Sequence, residues 1–278
     1  MLRLADIARR RPGSIETACR AEAQQAYLGD HVVLCRLLTR YKFYVDTRDT
    51  GFASHVMLDG YWESGLTRFI ARIVKRGMVV ADVGANFGYY TLLLADLVQS
   101  RGHVYAVEPN PEAAKLLRRS VNLNGFGSWS SIVEACATST DGQTFSLFVP
   151  HGEPKNACII PSADIVSADA GIVHCVPGRT LDSITAERGP PDFAKIDAEG
   201  AEEQIFSGMS RMLKARPPKI VLEFNAARYA YPRAFIERLI RSYGRLRNVT
   251  DDGDVASVTT DRLLSEHVGV DWLLYLEH

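Results

Sequence analysis

Several features are missing from this chain, and each absence narrows what it can be. No stretch of its 278 residues approaches the ~20 consecutive apolar residues of a membrane span. The N-terminus has no apolar core of the kind a secretory signal carries. Met1 to Arg11 is arginine-rich with one acid, weakly like a transit peptide and more simply a short basic helix. A cytoplasmic location is the default expectation. There is no excess of charge: 32 Lys and Arg stand against 33 Asp and Glu. Proteins that track phosphates carry a basic excess. No basic, aromatic-rich stretch is present either, so nucleic acid is not an expected partner. The five cysteines, Cys19, Cys35, Cys136, Cys158 and Cys175, are odd in number, and no pair has metal-ligand spacing. Reduced, mostly buried thiols are expected. No internal repeat is visible.

What is present is a large apolar fraction, 46% of residues, arranged in alternation. Ser14 is placed to cap a helix reaching about Tyr27, and 32–44 reads as one or two short strands. Residues 46–51 carry turn chemistry. A helix with Leu66, Phe69, Ile70, Ile73 and Val74 on one stripe stops at Gly77. Strand 79–83 leads into helix 88–98, and strand 103–107 into a helix with Asn110 as cap and Pro111 in its first turn, stopping near Gly125. Residues 132–137 and 144–149 look like strands around the Asp141-Gly142 turn. Residues 152–170 read as loop, 172–176 as strand and 180–187 as a short helix. Strand 193–197 precedes helix 199–213, strand 219–224 precedes helix 233–243, and 247–249 and 272–277 supply the last strands. This alternation predicts an α/β fold, a doubly wound, mostly parallel sheet with helices on both faces. Residues 1–60 are expected to form an extension of helix and short strands, a candidate substrate cap on a domain spanning 61–278. Ligands of such sheets sit at the carboxyl ends of the strands.

The first such end is Met78 to Thr91, MVVADVGANFGYYT. A dinucleotide turn wants glycines at its first, third and sixth positions; here those are Gly84, Asn86 and Tyr89. Asn86 puts a side chain where a pyrophosphate needs room. The loop suits a ligand without phosphates, with Asn86 as a hydrogen-bonding group and Asp82 as an acceptor for an ammonium. One strand–helix–strand unit later, Glu108 ends the next strand in AVEPNP, where an acid takes both hydroxyls of a ribose. Together these make a nucleoside site with no phosphate grip, and S-adenosylmethionine is the common cofactor of that description. The third strand end, FAKIDAEGAE, sets Asp197, Glu199 and Glu202 at a helix start, where anions are stabilised in any case. Glu202 reads as such a first-turn residue. Lys195 shares a strand face with Asp197 and can neutralise it, or Glu223 on the neighbouring strand.

DVGANFGYYT, AVEPNP, RTLDSI and KIDAEGAE, in this order and spacing, resemble the FkbM family of S-adenosylmethionine-dependent methyltransferases, and Gly60-Tyr61-Trp62-Glu63 matches the same pattern. The resemblance spans about residues 45–224. It implies a Rossmann-like class I methyltransferase fold. It implies that Asp82, Gly84, Asn86 and Gly88 line the methionine part of the cofactor and that Glu108, followed by Pro109, takes the ribose. Glu134, Ala135, Cys136 and Ala137 would edge the adenine. Glu63 would approach the cofactor, and Asp197 and Glu199 would face the reacting methyl. The family mostly methylates hydroxyls of sugars, glycolipids and polyketide-type molecules, so a small-molecule acceptor is implied.

Methyl transfer to an alcohol needs alignment and a proton acceptor. Asp197 is the first choice for that base or for orienting the acceptor, Glu199 the second, with Lys195 beside them. Two carboxylates without a clear third ligand do not make a metal site, and no metal is expected. His151 is the one histidine placed near an acceptor; His174 reads as a packed or paired strand residue. His31, His55, His103, His267 and His278 carry no signal. Rival readings are a nicotinamide-dependent oxidoreductase, separable by comparing S-adenosylmethionine with NADH in a thermal shift; a nucleic-acid methyltransferase; and a cofactor-binding module without turnover.

Overall fold

Four of the five residues in Val79–Val83 are buried. A strand with no wet side must lie between other strands and beneath two layers of helix. In the computed structural model, which describes residues 1–161, 167, 169–266 and 269–278, that is its place. It pairs in parallel with His103–Val107 on one side and Phe193–Ile196 on the other. The sheet continues to Ser130–Val133 beyond the first neighbour and Lys219–Phe224 beyond the second, all parallel. Trp272–Leu276 then enters antiparallel between Lys219–Phe224 and Arg247–Val249, and Val255–Ser257 closes this eight-stranded order. The chain therefore winds outward from Val79–Val83 in one direction and later outward from Phe193–Ile196 in the other. Their shared carboxyl edge is the switch point, where such sheets take ligands.

Two-residue alternation sends neighbouring side chains to opposite cores. Val80, Val104, Phe193 and Val221 face helices Tyr89–Val98 and Ser64–Ile73. Ala81, Tyr105, Ala194 and Ile220 face helices Glu202–Ser207, Ser210–Ala215 and Pro232–Tyr243. Helix Pro111–Leu123 begins as its sequence predicts, with Asn110 Oδ1 accepting the Glu112 N–H at 3.1 Å and proline in the first turn.

The first sixty residues share the first of these cores. Ile7, Ile15, Phe43 and Phe52 are buried with Leu92 and Leu93. Arg40 pairs with Asp96 at 2.6 Å, and the Tyr44 N–H reaches Ser120 Oγ at 3.0 Å. Their local structure departs from expectation. Helix Pro12–Ala21 starts before Ser14 because Pro12 fixes the first turn, and it ends early. Gln25–Tyr27 is an edge strand on Val32–Leu37, which pairs in turn with Tyr41–Asp46. Helix Phe52–Asp59 follows a stretch that showed only turn chemistry.

Three further boundaries are corrected. The 132–137 strand is two strands, Ser130–Val133 in the large sheet and Cys136–Ala137 in a second one. That second sheet has the order Cys136–Ala137, Gly171–Arg179, Thr144–Pro150, Cys158–Ile160. Its last strand lies in the stretch expected as loop, of which 162–166 and 168 fall outside the described residues, as does His267. The 199–213 helix starts only at Glu202 and breaks at Gly208, where a Cβ would meet the Thr138 carbonyl oxygen at 2.1 Å. Among the described residues no helix is long and apolar enough to cross a membrane.

Candidate functional site

At the switch point the chain leaves Val79–Val83 in a left-handed turn. Gly84 has φ +74°, and a Cβ there would stand 1.7 Å from the Asp197 carbonyl oxygen. Two strand-end loops thus touch backbone to backbone, and only glycine leaves the room. The Gly84 and Ala85 N–H groups both donate to the Val107 carbonyl, at 3.0 and 3.1 Å. Asn86 takes φ 49°, a conformation asparagine tolerates better than most side chains. Its N–H donates to Glu108 Oε2 at 2.7 Å, and the Asn110 N–H donates to Oε1 at 2.8 Å. One buried carboxylate is therefore oriented by two backbone donors, each oxygen keeping further lone pairs for a ligand. Burial raises the Glu108 pKa to about 7, against the pull of those two N–H groups.

A cavity of about 250 Å³ opens over this cradle. Gly84, Asn86, Glu108, Pro109, Cys136 and Ala137 line it, and Glu63, Lys195, Asp197 and Glu199 complete the wall. Glu63 sits at φ 37° and accepts the Tyr90 hydroxyl at 2.6 Å. Burial, then the nearby Asp197, holds its carboxyl above the usual range.

Other expected residues stand elsewhere. Gly88 does not line the cavity: at φ +98° a Cβ would meet Leu117 Cδ1 at 2.3 Å, so this glycine lets helix Tyr89–Val98 pack on helix Pro111–Leu123. Asp82 is fully buried behind the loop. It accepts the Thr91 hydroxyl at 2.6 Å, and its other oxygen has no hydrogen-bond partner, with Lys195 Nζ 4.0 Å away. Asp82 is thus a counter-charge beneath Lys195, not a group in contact with the cavity. Glu134 is exposed and pairs with Arg118 at 2.5 Å, and Ala135 is buried off the cavity wall. His151 and His174 line a smaller adjoining cavity of about 70 Å³.

The opposite end of the main cavity is built from charge. Lys195 Nζ lies 2.9 Å from Asp197 Oδ2. Burial opposes both charges, yet they hold each other ionised: the Lys195 pKa is raised and the Asp197 carboxyl sits below its ordinary value. Glu223 lies beside Asp197. Burial first, then that neighbouring negative charge, pushes the Glu223 carboxyl up to about 9. Arg228 bonds Glu223 and reaches Glu199 at 2.8 Å and Asp271 at 3.2 Å. Glu199 occupies a left-handed position, φ 51°, ahead of the helix and not within it. Burial raises its pKa to about 7. Glu202, buried, holds that loop: its carboxylate accepts the Ala198 N–H at 2.8 Å, the Gly200 N–H at 3.1 Å and the Tyr229 hydroxyl at 2.7 Å. Ligand oxygens of Asp197, Glu199 and Glu223 lie within 4.8 Å of one another, so the fold adds a third carboxylate to the pair read from sequence. The Arg228 guanidinium already lies against two of the three.

Sequence reasoning missed Arg228, Asp271, Phe52 and Lys155. The first two had a signal in topology. Arg228 follows the carboxyl end of a parallel strand, and Asp271 precedes an antiparallel one, so both fall on the ligand edge. Phe52 and Lys155 come from segments without a motif.

The methyltransferase FkbM domain model matches residues 82–246. The chain belongs to the FkbM methyltransferase family. Shorter stretches are similar to protein-L-isoaspartate O-methyltransferases. One, from Methanothrix thermoacetophila, is 37% identical over 60 residues, covering 22% of this chain and 29% of that enzyme. Another, from Aeropyrum pernix, is 48% identical over 50 residues, covering 18% of this chain and 19% of that enzyme. The chain thus spans less than a third of the length of these curated relatives. Among solved structures, an FkbM methyltransferase from Methylobacillus flagellatus has TM-score 0.45 and 17% identity, covering 77% of this chain and 53% of that one. The C-terminal domain of precorrin-6Y C5,15-methyltransferase from Rhodobacter capsulatus has TM-score 0.42 and 10% identity, covering 78% and 88%. In this FkbM family chain, the matched region runs from Asp82 beneath the cradle to Leu246, just before strand Arg247–Val249.

Proposed function

We propose that this FkbM family member is an S-adenosylmethionine-dependent methyltransferase acting on a hydroxyl of a small molecule such as a sugar, glycolipid or polyketide-type product. The observation that carries the reading is the joint between the two motifs: the Asn86 N–H fixes Glu108 beside the Gly84 turn, in the wall of the cavity. The residues fit such a donor. Gly84 lets the first strand-end loop close on the backbone of Asp197 at the cavity wall, Glu108 offers two oriented oxygens for a ribose, and Cys136 and Ala137 give an apolar edge for a base.

When bound, the donor supplies an electrophilic methyl group on a sulfonium. The chain's own residues then have three tasks. The cradle fixes the donor, which favours in-line attack. The carboxylates of the far wall balance positive charge. One of them takes the hydroxyl proton. Asp197 is poorly suited to that last task, because Lys195 holds it ionised and its proton affinity is low. Glu199 is better matched, since a base works best with a pKa near the working pH, and its own is about 7. The roles read from sequence are therefore exchanged: Glu199 is the base, and Asp197 with Lys195 orients the acceptor. Phe52 brings the N-terminal sixty residues into the acceptor wall, in keeping with a cap role.

The test is calorimetry with S-adenosylhomocysteine, followed by incubation with methyl-labelled donor and a lysate extract fractionated by polarity. Binding plus label in a small-molecule fraction supports the assignment. Tighter binding of NADH would remove it, and donor binding with no transfer to any fraction would leave a non-catalytic module.

A further inference from the structure

Three cations line the cavity: Lys195, Arg228 and Lys155. The first two are ion-paired within the carboxylate network. Lys155 differs. The buried Asp49 carboxyl feels its charge, but among the described residues no carboxylate lies within 4.0 Å of its ammonium, and the Trp62 ring centroid lies 5.5 Å from Nζ. It is half-buried, on the turn Pro154–Asn156 that precedes the last strand of the second sheet.

Its position is built. The Thr50 N–H and hydroxyl both donate to the Gly152 carbonyl at 3.0 Å, clasping this turn to the N-terminal segment. The lysine stem crosses Gly51, where a Cβ would meet Lys155 Cε at 3.1 Å. The Trp62 ring beneath the ammonium meets Phe52 edge to face at 5.0 Å, and both rings belong to the cavity wall. A half-buried ammonium regains only part of its lost hydration from a ring face and from a carboxyl beyond 4.0 Å such as that of Asp49. An anion in the cavity would complete it.

We propose that Lys155 is a specificity-determining residue for an anionic acceptor: a hydroxylated small molecule bearing a carboxylate or phosphate that pairs with Lys155 while its body rests on Phe52 and Trp62. This rests on the methyltransferase reading above and names the substrate class within it. The acidic groups across the cavity are partly offset, because the Lys195 and Arg228 charges are placed among them.

The test uses the full chain loaded with S-adenosylhomocysteine and matched probes in calorimetry: galacturonate against galactose, a hexose phosphate against the hexose, and protocatechuate against catechol. The anionic member of at least one pair should bind about tenfold tighter, and the pair that shows it separates carboxylate from phosphate. Lys155→Gln should abolish that preference and leave S-adenosylhomocysteine affinity within about twofold of the parent. Equal binding within every pair, or a preference that survives Lys155→Gln, overturns the proposal. So does a large loss of S-adenosylhomocysteine affinity in that variant, which would place Lys155 on the donor's own carboxylate. Failure of the unaltered protein to bind S-adenosylhomocysteine would instead remove the methyltransferase reading.

Discussion

The two ends of the cavity are made of different materials. The end around Glu108, proposed for the donor, is built by backbone: a glycine with no room for a Cβ, a left-handed asparagine, and a glutamate whose two oxygens are each fixed by a main-chain N–H. The end around Asp197, proposed for the acceptor, is side-chain charge: Lys195 with Asp197, and Arg228 with Glu199, Glu223 and Asp271. Backbone geometry is fixed once the sheet forms. A charge network rearranges when one proton moves, so the second end responds to pH through several coupled groups, the first through Glu108 alone.

The most severe way to break this contrast is Gly84→Val. Its side chain would occupy the Asp197 carbonyl and force a β-branched residue into positive φ. A loss of roughly 2–4 kcal/mol is expected in chemical denaturation, with both ends of the cavity failing together. Next is Glu199→Gln, which should lower turnover about 10²–10⁴-fold while S-adenosylhomocysteine affinity is kept. The parent rate should rise as pH passes about 7, where Glu199 ionises, and the variant should lose that limb. If Asp197→Asn removes the limb instead and Glu199→Gln keeps it, the base assignment reverts to Asp197. Glu108→Ala should do the opposite of Glu199→Gln. S-adenosylhomocysteine affinity should fall roughly 10–100-fold, as for a lost charge-assisted pair of hydrogen bonds, while turnover at saturating donor stays close to the parent.

Stability without ligand should also depend on pH. Glu108 and Glu199 have folded pKa values of about 7, and Glu223 about 9, against an ordinary 4.5. A raised carboxyl pKa means the folded chain holds its proton more tightly than the unfolded chain. This contribution is complete below about 4.5 and is lost as pH rises through the folded values. Denaturation midpoints should therefore drift down between about pH 5 and pH 9, and Glu223→Gln should flatten the upper part of that drift.

The same contrast explains what the sequence made legible. Backbone-built features leave short, local signatures: Gly84, Asn86 and Glu108 were readable because a glycine turn and a strand-end acid need fixed residues at fixed spacing. Gly88 was readable as a glycine but not as a packing glycine, since Leu117 lies a helix away. The strands of the parallel core were legible from their apolar runs. Helix 199–213 was not, because at its break Gly208 packs on the carbonyl of Thr138, which follows strand Cys136–Ala137. At the acceptor end, Asp197 and Glu199 sat in a motif, but their proton affinities depend on Glu223, Arg228 and Asp271, which come from separate strand ends. No local pattern encodes a charge balance assembled across that distance in sequence. Lys155 belongs to the same class, positioned by Gly51 and Trp62 from a segment a hundred residues earlier.

The antiparallel strand Trp272–Leu276 sets an order of manufacture. A nascent chain that has emerged as far as Phe224 already holds Gly84, Asn86 and Glu108 with the parallel strands that carry them. Strand Lys219–Phe224, however, keeps one edge bare until Trp272–Leu276 leaves the ribosome and pairs along it. Asp271 arrives with that strand, so the Arg228 network is the last part of the molecule to be wired. During synthesis the Glu108 cradle thus precedes the completed charge network opposite it.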